Sequence, residues 1–224
     1  MASKPRRIAP TWHTVLVLLA IAGVTLWGKI YSDHLRAIAN SPRLPLYIQT
    51  AVFEWALLGL VLWRAPIAIV LGPRWQSTRR IVVDVLTAAA FWIVSGILLV
   101  LLSRLLHITG LGPNVRFMLP RTFIEMAAWI GLCVTAGICE EGVFRGYLQP
   151  QLAALTRSAP AGILISAVIF GAGHAYQGLR SAVLIACYGV MFGVLAYWRQ
   201  NVRPGILAHI FQDCISGLVG VRLH

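Results

Sequence analysis

Three groups of residues in this 224-residue chain combine side chains that could act on water or on a carbonyl. The first is Glu140-Glu141-Gly142-Val143-Phe144-Arg145. On a helix, Glu141 and Arg145 share a face and can pair, while Glu140 points about 100° away. Such a pair would hold Glu141 ionised and oriented and leave Glu140 free to act as a general base on water. The second group is Phe170-Gly171-Ala172-Gly173-His174. Here Phe170 and His174 share a face, and the glycines allow close approach of another helix. His174 could bind the water, stabilise an oxyanion or ligate a metal. The third is His209-Ile210-Phe211-Gln212-Asp213. Its i,i+4 spacing puts imidazole and carboxylate on one face, which fixes a histidine tautomer and raises its basicity. Taken singly, each also has a plain structural reading: a neutralised ion pair at a helix end, a packing histidine, a buried polar pair.

The elements that must position these groups are membrane helices. The chain is 58% hydrophobic with 12% charged residues, and its mean hydropathy of +0.78 lies far outside the range of a soluble domain. Stretches of about 18 or more apolar residues, the length that spans a hydrocarbon core of ~30 Å, recur throughout. The expectation is all-α: one polytopic transmembrane bundle over 1–224, with about seven to eight membrane helices and a short basic segment at 1–10. Helices are expected near 12–31, 46–63, 81–103, 121–148, 160–176, 181–198 and 204–220. The run 66–72 is too short to span and reads as an extension of the second helix past a kink at Pro66. Loop signals fall at Ser41-Pro42, Gly72-Pro73, Gly110 to Pro113, Ser158 to Pro160 and Arg203-Pro204-Gly205. The first span is too long for a removed signal peptide and reads as a retained helix.

A net charge of +12 suggests nucleic acid, yet its placement argues against that partner. Lys4, Arg6, Arg7, Arg64, Arg74, Arg79, Arg80, Arg199 and Arg203 flank the apolar spans, where they orient helices and meet anionic head groups. The four cysteines (Cys133, Cys139, Cys187, Cys214) lie in apolar segments without metal spacing and read as small core residues. Of seven acidic residues, only Asp33 lies in an obvious loop. A carboxylate in hydrocarbon costs at least a few kcal/mol, so Glu54, Asp84, Glu125, Glu140, Glu141 and Asp213 must be paired, wetted or used.

The order Glu-Glu-x-x-x-Arg, Phe-x-x-x-His and His-x-x-x-Asn/Asp resembles that of the CAAX prenyl endopeptidase and bacteriocin-processing family, the Abi-type intramembrane peptidases. The resemblance covers roughly residues 120–220, with all three motifs in order and spacing. The first motif continues into Gly146 as that family's often does, and the last ends on Asp213, a variant of the usual Asn. The N-terminal hundred residues carry no information about membership. The resemblance implies a membrane peptidase with a water-filled cavity within the bilayer. Glu140 would activate the attacking water, His174 would hold that water or the oxyanion, and His209 with Asp213 would complete the cavity. Glu141 and Arg145 would orient the first motif. It further implies a membrane-bound or lipidated peptide substrate, such as a prenylated CAAX-type or leader peptide. Short loops and small size suit a prokaryotic plasma membrane.

A carboxylate-activated water held by neutral imidazoles needs no ion, so the first reading has no cofactor. A divalent metal such as zinc is the alternative, with Glu140, His174 and His209 as ligands. Signatures of other intramembrane proteases are missing: there is no Gly-x-Ser-x-Gly, Gly-x-Gly-Asp or His-Glu-x-x-His. Two other classes compete. A transporter would also keep intramembrane acids, with Glu54, Asp84 and Glu125 as its path, and an immunity or scaffold protein would keep the helices without the chemistry. Depth is a further constraint. In the simple span count Glu140 and His209 lie near one face, whereas His174 falls about 14 residues, roughly 21 Å, into its helix. A shared site requires the fourth helix to run on past Arg145 or the fifth to begin outside the membrane.

Overall fold

In the computed structural model, residues 7–38, 42–108, 110 and 112–222 are described. Lys4 and Arg6 of the basic segment, and Ser41 of the first loop, lie outside them. No strand occurs among the described residues. In chain order the helices are α1 (Thr11–Ala37), α2 (Leu44–Leu62), α3 (Ile67–Val70), α4 (Thr78–Leu105), α5 (Pro113–Met118) and α6 (Phe123–Glu140). A π-helix (Glu141–Leu148) joins α6 to α7 (Gln149–Thr156), so that apolar helix runs unbroken from Phe123 to Thr156. Then follow α8 (Ala159–Gly173), a 3₁₀ turn (Ala175–Gln177), α9 (Leu179–Arg199) and α10 (Arg203–Arg222).

Among the described residues, five helices are long and apolar enough to cross a membrane: α1, α2, α4, the Phe123–Thr156 helix and α9. Their outer faces carry exposed Leu, Ile, Val and Trp, as lipid-facing surfaces do. These spans and apolar faces are those of an integral membrane protein. All seven expected helices are present, but α8 has only 15 residues, about 22 Å at 1.5 Å per residue.

α1 runs on from its expected end at 31 to Ala37, so Asp33 is helical rather than in a loop, and two further boundaries differ from expectation. Residues 66–72 do not extend α2. The chain leaves α2 at Leu62, Pro66 adopts an extended conformation, and α3 forms as a separate turn. That turn lies against the π-helix, where a Cβ on Gly146 would collide with the Val70 carbonyl. Gly146→Ala is therefore expected to destabilise the protein by about 1–3 kcal/mol, read as a lowered thermal unfolding midpoint in detergent.

The second difference removes the depth constraint. The fourth helix runs past its expected end at 148 to Thr156, and Glu140 lies well inside it. Glu140 precedes Thr156 by 16 residues (156 − 140), and His174 follows Ala159 by 15 (174 − 159). At 1.5 Å per residue both lie about 22–24 Å from the α7–α8 turn, at matching depth.

Polar contacts tie the N-terminal third to this frame. Gln151, fully buried, accepts from the backbone N–H groups of Ile8 and Ala9 and donates to the Ala9 carbonyl and Thr14 Oγ1. His13 Nε2 donates to the Leu60 carbonyl at 3.0 Å, so Nδ1 accepts from the Tyr147 hydroxyl at 2.7 Å. Glu125 is a helix-start residue. Thr122 Oγ1 caps α6, while Glu125 accepts from the backbone N–H groups of Arg43 and Arg121 and so anchors the preceding loop. All four cysteines are free thiols.

Candidate active site

The site is organised by the junction of α6 with the π-helix. Backbone bonds there run from i to i+5, as from the Gln149 N–H to the Phe144 carbonyl. Such wide turns occur often at functional sites. Residues 141 to 149 are all buried. Glu141 and Arg145 form the expected pair, with Nη1 2.9 Å from Oε1 and side chains only 0% and 2% exposed. A bare guanidinium at that depth would be expensive. Arg145 lies over the rings of Phe170 and Phe192, 4.3 and 5.1 Å from their centroids, and Nη2 reaches the Gly189 carbonyl.

His209, brought by α10, sits between the two members of the Glu pair. Its Nδ1 donates to Glu141 Oε1 at 3.1 Å, and its Nε2 lies 3.6 Å from Glu140 Oε2 and 3.5 Å from Asp213 Oδ2. Gly205 permits this approach, since a Cβ there would stand 2.9 Å from Glu141 Oε2. Asp213 is held from behind, its carbonyl accepting from Trp129 Nε1. His174 terminates α8. Its Nδ1 donates to the Phe170 carbonyl at 2.9 Å, which leaves Nε2 as the nitrogen with a free lone pair.

One cavity of about 520 Å³ is lined by Glu140, His174, His209 and Asp213 together. Its walls are otherwise mostly apolar, with Phe53, Leu57, Leu132 and Ile185 among them. Glu141 and Arg145 do not line it and stand behind Glu140 and His209. The six residues singled out by sequence thus form one connected cluster in two layers.

Glu54, from α2, also lines this cavity, and its Oε2 is buried with no hydrogen-bond partner among the described residues. It stood out in the sequence as an acid in an apolar run, with no motif beside it to say what it faced. Asp84 and Glu125 do not join it. Asp84 accepts from Trp75, Arg199 and Asn201, and Glu125 from loop backbone. The three acids therefore do not form the path that a transporter reading assigned to them.

Among the described residues no group of three His, Cys, Asp or Glu is arranged to hold a metal ion. Nδ1 of His209 is committed to Glu141, its Nε2 stands 3.6 and 3.5 Å from the carboxylates of Glu140 and Asp213, and Nε2 of His174 stays open.

The fold and site define a polytopic helical membrane protein with a carboxylate–imidazole cavity between its helices. Residues 121–215 match the family model described as Rce1-like, type II CAAX prenyl endopeptidase Rce1-like. The match covers somewhat under half of the chain, from the start of α6 into α10, and contains all six site residues. It is the family read from the three motifs, and it is a protease family. No curated protein and no solved structure is significantly similar to the chain.

Proposed function

We propose that this chain is an intramembrane endopeptidase, and that it hydrolyses a peptide bond of a membrane-tethered peptide with Glu140 as the base. The observation that carries this reading is the one cavity whose lining includes Glu140, His174, His209 and Asp213 together. A water between the Glu140 carboxylate and His174 Nε2 would donate one proton to each acceptor. Glu140 takes a proton as the oxygen attacks the scissile carbonyl carbon. The carbonyl π bond opens to an oxyanion, for which the Nε2–H of His209 is the nearest donor. Collapse breaks the C–N bond, and the proton carried by Glu140 passes to the leaving nitrogen. The products are a carboxylic acid and an amine, and Glu140 is ionised again.

Glu141 and Arg145 act through other groups. Glu141 fixes the His209 ring through Nδ1, and Arg145 keeps Glu141 in place. The apolar walls suit a substrate that arrives with a lipid or a transmembrane segment. A prenylated CAAX-type peptide is the class suggested by the family's description, with a leader peptide the other candidate, and the membrane we assign is a prokaryotic plasma membrane. The test is Glu140→Ala and His174→Ala in purified full-length protein, assayed by mass spectrometry against a membrane-tethered peptide. Both are expected to abolish cleavage, and cleavage that survives both changes would overturn the assignment.

A further inference from the structure

A second recess lies apart from the catalytic cavity, where α4 begins beside the α9–α10 turn. We propose that it binds the phosphate of an anionic phospholipid headgroup. The recess has a volume of about 380 Å³ and is lined by Arg74, Arg79, Arg80, Arg199 and Arg203, with Asp84 the only acid in its lining. Five cations against one carboxylate leave a strong positive excess in a small space.

Asp84 cannot neutralise that excess, because its oxygens are already engaged. Oδ1 takes Arg199 at 3.2 Å, and Oδ2 takes Trp75 Nε1 at 2.9 Å and Asn201 Nδ2 at 3.2 Å. Arg203 is steered by the Gly72 carbonyl and by the Trp75 ring, 4.6 Å from its centroid. Arg74, Arg79 and Arg80 make no ion pair among the described residues. Arg199 presents a second need: its Nε is buried and has no hydrogen-bond partner there. Asp84 and Arg199 thus form a fixed floor, and the free guanidinium groups form a rim. A phosphate meets both demands, since its oxygens accept several guanidinium N–H bonds at once. The positive end of the 28-residue α4 adds to the field.

The surroundings select a lipid over free phosphate. Trp75 and Trp198 are exposed at this end of the bundle, where an aromatic belt marks headgroup level. Directly beyond the arginines, α4 exposes Val82, Val85 and Leu86. A phosphate held in the recess would lay its acyl chains along that ridge.

The test uses the purified full-length protein and native mass spectrometry with phosphatidylglycerol, phosphatidylcholine and inorganic phosphate as separate probes. Phosphatidylglycerol is expected to stay bound where phosphatidylcholine is lost. The double change Arg79→Gln/Arg80→Gln is expected to weaken that retention roughly tenfold or more. Both side chains are exposed, so a thermal unfolding midpoint near that of the unaltered protein should accompany the loss. Arg79→Lys/Arg80→Lys should recover part of it by restoring charge without the planar fork. Equal retention of the two lipids, or undiminished retention by the Gln variant, would overturn the proposal. Competition by inorganic phosphate as strong as by phosphatidylglycerol would overturn the lipid assignment and leave a plain anion site.

Discussion

Replacing Arg145 by leucine is expected to destabilise the protein by about 3–5 kcal/mol, because a buried carboxylate then loses its counter-charge. The effect should be large for a specific reason. Glu141 is fully buried, and its remaining polar contact is His209, which cannot satisfy both oxygens. Arg145→Lys should be intermediate: it keeps the charge but loses the flat face packed between Phe170 and Phe192. The double change Glu141→Leu/Arg145→Leu should recover much of the stability, since removing both members of a buried pair is often near neutral. It should not restore cleavage, because His209 would lose the group that orients its ring. Thermal unfolding in detergent reads the first two effects. An Arg145→Leu protein as stable as the unaltered one would show that the pair is not structural.

Glu140→Gln is expected to slow peptide cleavage by roughly 10²–10⁴-fold, the usual range for a general base, with little change in unfolding midpoint. Glutamine keeps the shape and removes the proton acceptor. Glu140 makes no bond to Arg145, and its carboxylate sits 3.6 Å from His209 at the cavity wall, so the buried framework should persist. Single-turnover assays with excess enzyme separate the chemical step from product release. A Gln variant that cleaves within a few-fold of the unaltered rate would remove Glu140 from the chemistry.

Much of this arrangement can be read from the chain, for identifiable reasons. Helical periodicity places Glu141 with Arg145 and His209 with Asp213, and both neighbours are present. Local spacing carries that information. It does not show that His209 lies between the two Glu side chains, since that contact joins positions 68 apart through the packing of α10 on α6. The end of the fourth helix was also hidden, because polar Gln149 and Gln151 beside Pro150 look like the edge of a span. In the fold both glutamines are buried and bonded across to the Gly193 carbonyl and to the N-terminal segment. Glu125 had a legible signal in Thr122-x-x-Glu125, a helix-start pattern before an apolar run. Asp84 had none, as its partners Arg199 and Asn201 lie more than a hundred positions away.

The π-helix has a consequence for how this stretch can tolerate change in length. Each i to i+5 bond encloses one residue more than the α-helical ladder does. Deleting any single residue between Glu141 and Leu148 would let the ladder close in α fashion. Positions beyond the deletion would keep roughly their orientation, because the residue removed is the extra one that the wide turns hold; the same deletion within α6 would turn everything beyond it by about 100° about the axis. In that α6 variant Gln149 would leave the Gly193 carbonyl, and Gln151 would leave the N-terminal segment it holds. The segment should therefore absorb a one-residue deletion that the α-helix before it does not. Single-residue deletions are expected to leave the fold intact between 141 and 148 and at the α7–α8 and α9–α10 turns, and to disrupt it within α6. A deletion scan read by folded yield would map that boundary residue by residue.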